Sequence, residues 1–409
     1  MSDAPASKRT ASRVLFFVFV TVFLDLVGFG IVMPLMPFYV KSMGGGALTV
    51  GALVSGFSLL QFLATPYLGR LSDRIGRRKV ILVSLAGNAL AMVIFAAATE
   101  LAILPLLFFS RLLAGATAGN LSACQAAIAD VTEGEDRIRG MGRLGAGIGL
   151  GMAFGPLIGG ELSHFGLWAP PIGAAAMALA DLIGAFFLMP ETRKPQATPV
   201  AAAPRPSLAH LLTQRPIVMV LALYFLTFLS MTNLTVALAL LVEARFGWGG
   251  VEVGRLFGIF GVLALLIQGV LIVRLSRIVG QLNLLLLGAI ALAAGMGLIG
   301  AAQHPWMMVS GTILVGGGLG VVNPLMAVLA TQLAGAENRG AVLGVAQSSG
   351  SLARAVGPLL AGFLFRYVAP GAPFFGGAIA AFVAAFVVIA VRRVPGTSPS
   401  PRSPESATS

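Results

Sequence analysis

The sequence predicts an all-α polytopic membrane protein, with twelve transmembrane helices in two six-helix bundles related by pseudo-twofold symmetry. Three observations carry this. Hydrophobic runs of roughly 20 residues, the length that crosses a hydrocarbon core as a helix, recur along the chain. Lys and Arg are distributed unevenly between alternate connections. Short motifs repeat between the two halves at a nearly constant offset.

The runs are clear because the 409 residues are 57% hydrophobic and only 10% charged, where a soluble domain carries about 25%. They place spans at 14–38, 48–69, 80–98, 101–129, 144–164, 168–190, 216–241, 256–273, 281–301, 305–332, 340–365 and 372–391. The first run is too long for the core of a cleavable signal, so none is expected.

The net charge of +12 raises the question of a nucleic-acid partner, and its placement argues against one. With the N-terminus inside, 21 of the 27 Lys and Arg fall on inner segments and 4 on outer ones (Lys41, Arg245, Arg255 and Arg366); Arg111 and Arg354 lie within spans. Such a bias orients a polytopic protein. Both termini are therefore expected on the cytoplasmic side of the cell (inner) membrane, with the lipid bilayer as the main partner.

Pro190 to Ser207 is rich in Pro, Ala and charge, and the C-terminal residues from Pro395 are rich in Pro and Ser. They divide the chain into an N-tail at 1–13, a first bundle at 14–190, a linker at 191–215, a second bundle at 216–391 and a disordered tail at 392–409. "RLSDRIG" at 70–76 matches "RLSRIVG" at 274–280, "GPLIGG" at 155–160 matches "GPLLAG" at 357–362, and "FLD" at 23–25 faces "FLT" at 225–227. A parallel repeat of this kind implies two bundles about an axis along the membrane normal. Sites in such folds lie near midplane between the bundles, and the halves rock.

Charged groups within spans are functional candidates by default. Asp25 is about 16 Å into the first span at 1.5 Å per residue, near midplane. Arg111 is at similar depth in span four, and the two are expected to pair. In general, burial favours a neutral carboxyl and a neighbouring cation favours the charged one, so a carboxyl held between them can load and release a proton. A permanent ion pair that only fixes packing is the alternative. Asp181, in span six, is a second proton-coupling candidate. Arg354, in span eleven, could hold an anion, counter a carboxylate or simply pack. Gln61, Asn120, Gln125, Asn233, Gln268, Asn323 and Gln347 are further candidates to line a cavity, or to bond between helices.

Two segments carry denser signals. "GRLSDRIGRRK", Gly69 to Lys79, joins spans two and three; its glycines permit a tight turn and Asp73 suits a helix N-terminus. "GLGMAFGPLIGG", Gly149 to Gly160, lies in span five, where small residues permit close helix approach and Pro156 a bend. Glu161, His164, His210 and His304 show no metal-ligand spacing, no phosphate-binding loop is present, and no nucleophile–base set stands out. Neither an enzyme nor a cofactor is expected. Cys124, the single cysteine, excludes an internal disulfide and reads as a packing residue.

These residues resemble a family. Gly69, Asp73, Gly76, Arg77 and Arg78 are similar to the inner-loop signature of the major facilitator superfamily. "LDLVGFGIVMPLMP" at 24–37, "RLLAGATAG" at 111–119 and "GMAFGPLIGG" at 151–160 resemble the first-, fourth- and fifth-helix motifs of its twelve-helix drug:proton antiporter branch. "PET" at 190–192 and "RFGW" at 245–248 are similar to tetracycline exporters. The resemblance implies that Asp25 and Arg111 belong to the proton-coupling region and that Asp73 contacts the start of helix eleven in the outward-open state. It also implies that Arg77 pairs with Asp130, and that Gly151, Gly155, Pro156, Gly159 and Gly160 form the antiporter motif, with Gly155 and Pro156 shaping the interface to the second bundle. Where tetracycline exporters carry acids in helices three and nine and a histidine in helix eight, this chain has Ala91, Leu292 and Ala264. The expectation is a monomeric exporter that exchanges protons for amphipathic or apolar compounds by alternating access. A metabolite or sugar transporter of the same fold is the alternative, and a receptor or scaffold a more distant one.

Overall fold

The computed structural model describes residues 8–192 and 213–393, less the side chains of 8–10, 138 and 335–340. Most of the expected linker, most of the C-terminal tail and half of the N-tail lie outside the described residues. The described residues are helical, without strands.

The first half contains α1 (Lys8–Val32), α2 (Met36–Ser42), α3 (Ala47–Ile75), α4 (Arg77–Glu100), α5 (Leu104–Ala116), α6 (Asn120–Val131), α7 (Gly134–Leu162) and α8 (Ala169–Leu188). The second contains α9 (Arg215–Phe246), α10 (Gly250–Leu266), α11 (Ile272–Val279), α12 (Gln281–Ala301), α13 (Pro305–Leu333), α14 (Gly335–Tyr367) and α15 (Ala372–Val391). Among the described residues, eleven helical segments are long and apolar enough to cross a membrane. The twelfth expected crossing is α14, which has 33 residues but is diluted by glycine, serine and Arg354.

Several expected single helices are interrupted, each for a local reason. "IVMPLMP" carries Pro34 and Pro37, which lack the amide a continuing helix needs, and α1 gives way to α2 there. Expected span four is split between α5 and α6. At the break Thr117 Oγ1 bonds back to the Leu113 carbonyl (2.9 Å), a local competitor of helix continuation. The carbonyl of Ala118 is taken up by Thr65 Oγ1 of α3 (3.1 Å). A π-helical turn, Ile267–Leu271, joins α10 to α11.

The repeat is visible in the backbone. Gly76, between α3 and α4, has φ +109°, and Gly280, between α11 and α12, has φ +84°, a region open to glycine at low cost. Pro156 and Pro358 each lie inside a helix that contacts the other half. The halves meet through two equivalent pairs, α3 with α14 and α7 with α10.

The two faces of the molecule differ. One carries the α3–α4 turn, the ends of α6 and α8 and most of the basic residues; we call it the basic face. Near it, the cores of the halves are separate, one built around Val18, Ile81 and Ile128 and the other around Leu285, Met326 and Val388. Toward the far face the cores merge. Val236 and Ala361 join a cluster with Ile31, Tyr39 and Leu53, and Phe38 packs into the second half's core. Polar contacts between the halves, among the described residues, also gather there: Lys41 Nζ to Glu243 (2.6 Å), Arg255 Nε to Glu161 (3.0 Å) and the Leu359 amide to Ser55 Oγ (3.2 Å). Among the described residues, the halves are joined at the far face and their cores are separate toward the basic one.

Candidate functional site

Asp25 lies in the second half of α1, two turns before its end. Its Oδ1 accepts from Asn88 Nδ2 of α4 (2.8 Å), and its Oδ2 from Asn120 Nδ2 at the start of α6 (3.5 Å). Asn120 Oδ1 in turn accepts from Cys124 Sγ (3.3 Å). One turn along α1, Thr21 Oγ1 donates to Asp181 Oδ1 of α8 (2.9 Å). Asp181 is 3% exposed, and its Oδ2 has no partner. Positions i and i+4 share a helix face, so Thr21 and Asp25 bring both carboxyls to one side of α1. This cluster of α1, α4, α6 and α8 holds two acids and, among its hydrogen-bond partners, no cation.

The expected Asp25–Arg111 pair is not formed. Arg111 is 2% exposed; its Nη2 faces Met92 Sδ at 3.5 Å and its guanidinium lies 4.9 Å from the Phe95 ring centroid. Its Nε has no partner. The reason can be read along α4. Asn88, which meets Asp25, and Met92, which meets Arg111, are four residues apart, about 6 Å of rise. The α5–α6 break then brings Asn120, not Arg111, to the acid. Asn120 thus belongs to the acid cluster rather than to a cavity wall. Cys124, read as a packing residue, is a member of the same cluster.

The turn between α3 and α4 is a second polar centre. Arg77 Nη1 contacts Asp73 (2.6 Å) and Ser72 Oγ (2.7 Å), while its Nε donates to Asp130 (2.9 Å). Its backbone amide, at the start of α4, donates to Glu191 (2.9 Å), a carboxylate placed where a helix dipole favours an anion. A side chain at Gly76 would run into that carboxylate. Thr192 Oγ1 reaches Asp130 (3.4 Å). Arg78 Nη2 bonds the Phe186 carbonyl (2.6 Å), and Gly69 faces Ser122. The expected meeting of Asp73 with the start of helix eleven falls on side chains outside the described residues.

The fifth-helix motif divides between two neighbours. Gly151, Gly155 and Gly159, spaced by four, lie against Leu26, Gly30 and Ile31 of α1, so Gly155 packs within its own bundle, contrary to expectation. The opposite side of α7 meets the second half: Gly160 on Gly254, Leu157 on Gly258 and Ala153 on Gly261. Pro156 touches both, its ring near Gly30 and its carbonyl near Gly254. At about 100° per residue, positions 155 and 160 cannot share a face.

The remaining candidates separate as well. Asn233 is buried and folds back on its own helix, donating to Leu229 (3.1 Å) and Ser230 (3.3 Å) carbonyls, so it is not a lining residue. Asn323 is half-buried with an unpartnered Oδ1. Gln61 is half-buried, and Gln125, Gln268 and Gln347 are exposed. Arg354 is half-buried on α14, stacked over Phe228 of α9 at 4.5 Å. Sequence reasoning missed Thr21, Asn88, Ser55 and the capping role of Glu191. Thr21 carried a usable signal, its i, i+4 spacing from Asp25; Asn88 stood as a lone amide in an apolar run.

Comparison with known proteins agrees with this architecture. The family model described as Major Facilitator Superfamily matches residues 18–357 and 220–409. The tetracycline resistance protein, class C, of Escherichia coli is 33% identical over 346 residues, covering 83% of this chain and 86% of that protein. The human organic anion transporter MFSD10 structure aligns with TM-score 0.65 at 24% identity, over 92% of this chain and 99% of that one. A bacterial homologue of the iron transporter ferroportin in an inward-facing state aligns with TM-score 0.72 at 17% identity, over 95% and 100%. Similarity of that extent, with two six-helix halves joined through equivalent helix pairs, shows that the chain is a multi-pass membrane transporter belonging to the Major Facilitator Superfamily.

Proposed function

We propose that this transporter exports small amphipathic or apolar molecules in exchange for protons. It acts as a monomer with no cofactor, with the basic face cytoplasmic and both termini on that side. The observation that carries the reading is the buried cluster of Asp25 and Asp181. Two carboxyls gathered at one side of α1, Asp25 from that helix and Asp181 from α8, without a bonded cation among the described residues, are an expensive arrangement unless they exchange protons. The cluster ties together four helices of the first half, α1, α4, α6 and α8. Proton loading there alters the charge that α1 and α8 carry between the parted and closed arrangements. With the basic face cytoplasmic, the structure is the inward-facing state: cargo enters from the cytoplasm, the halves rock, and cargo leaves at the far face as protons enter.

The relatives named for tetracycline resistance support small-molecule transport. Ala91, Leu292 and Ala264 stand where tetracycline exporters carry ionisable groups, which favours a more apolar cargo. The test uses proteoliposomes with an imposed pH gradient and a compound panel. Proton movement coupled to substrate is expected, lost in Asp25→Asn and strongly reduced in Asp181→Asn. Substrate movement indifferent to the gradient refutes the coupling.

A further inference from the structure

Among the described residues, the mid-membrane cation Arg354 has no carboxylate partner. Its Nη2 donates to Ser351 Oγ (2.7 Å) and its guanidinium stacks on Phe228 at 4.5 Å; among the described residues these are its polar and aromatic contacts. A guanidinium cannot readily discharge by losing its proton. A half-buried, uncompensated one is therefore a standing site for an anion.

Its place in the fold points the same way. One turn farther along α14, Gly51 of α3 lies against Pro358, and the Leu359 amide bonds Ser55 Oγ (3.2 Å). Arg354 thus sits about 6 Å along α14 from the point where the halves close, on the side of the basic face. Gln347, Ser351 and Arg354, spaced by four and three, lie on one side of α14 and supply two further hydrogen-bonding groups. Down α3, Gln61 is six residues from Ser55, about 9 Å, which brings it close to the depth of Arg354. The Phe228 ring holds one face of the guanidinium and leaves its N–H edge for bidentate bonding, the geometry that suits carboxylate and sulfonate groups.

We propose that Arg354, positioned by Phe228 and Ser351, binds the anionic head of the cargo, so that the transported class is amphipathic organic anions with an apolar body. This rests on the transport reading above and narrows its substrate class.

The test is ligand binding to the detergent-purified full-length chain, read as the shift of the thermal-unfolding midpoint with ligand concentration. The probes are 2-naphthoate and 2-naphthalenesulfonate, with 2-naphthamide and 2-naphthylmethylammonium as neutral and cationic counterparts. Both anions are expected to bind at least tenfold more tightly than the amide. R354Q should abolish that preference, and R354K should keep it with weaker binding because the charge remains but the fork is lost. Equal binding of anion, amide and cation, or a preference unchanged in R354Q, overturns the proposal. Should R354Q not fold, R354K and S351A are read instead, and anion binding unaltered in both overturns it. Loss of the anion effect on adding phosphatidylglycerol at equal micellar fraction assigns the site to a lipid headgroup and also overturns it. Binding is measured without a gradient, so the two readings separate. Arg354-dependent anion binding without gradient-driven flux refutes coupling alone. Gradient-driven export of the cation by a chain that does not bind the anions refutes this proposal alone.

Discussion

Two ion pairs join the halves at the far face, Lys41 with Glu243 at 2.6 Å and Arg255 with Glu161 at 3.0 Å. Each links the two bundles, so rocking them apart at this face must break both, and their energy acts directly on the balance between states. The side chains are exposed, with Lys41 at 60% and Arg255 at 60%. Exposed pairs contribute about 0.2–1 kcal/mol each. Together they favour the closed far face by about 0.4–2 kcal/mol, or about two- to thirtyfold in population. The perturbation is Glu243→Lys alone, Lys41→Glu alone, and the exchange of both; the Arg255–Glu161 pair is treated in parallel. Spin labels on exposed far-face positions of each half report the distance distribution. Single variants should enlarge the long-distance population, the double exchange should restore the short one, and about 1 M salt should shrink the difference because exposed charges are screened. Distributions unchanged in the single variants, or no recovery on exchange, would refute the latch. A change far larger than thirtyfold would show that backbone packing, not charge, had been disturbed.

Gly51→Ala should open the far face without touching a charge, because its new methyl meets the Pro358 carbonyl; the same distance measurement checks it. Gly159→Ala should instead destabilise the first bundle, by about 1–3 kcal/mol for an overpacked contact with the Ile31 backbone, seen as a lower thermal midpoint. Arg77→Lys keeps the charge but cannot span Asp73, Asp130 and Ser72; transport should slow by about tenfold, the equivalent of losing one charge-assisted bond of about 1.5 kcal/mol, while ligand binding is retained. Thr21→Val removes the donor to Asp181 and should displace the pH profile of transport, with Thr21→Ser close to wild type; coincident profiles would remove Thr21 from the coupling centre.

The crossings are readable because each depends on local composition: apolar runs place all twelve expected segments, and eleven of the described helices are long and apolar enough to cross a membrane. Arg77 and Asp130 could be matched through a motif, and the structure brings them to 2.9 Å. The small residues of the fifth span signal close helix approach, but not that Gly151, Gly155 and Gly159 meet α1. Arg111 and Asp25 looked like partners because depth was estimated by counting residues along unbroken helices. The helix is interrupted after Ala116, and it is Asn120, at the start of the next segment, that meets the acid.

The sequence by itself determined where the chain enters the membrane, which connections are basic, and that acids and arginines lie at mid-depth, since these follow from transfer energies that act residue by residue. Only the tertiary structure decided who meets whom. Asn88, Asn120 and Asp181 reach the Thr21–Asp25 face of α1 from separations of 63, 95 and 160 residues, set by helix breaks and glycine contacts that no local preference encodes. Packing therefore placed the two acids together and left Arg354 without one, because side-chain partnership in a bundle depends on the register of neighbouring helices.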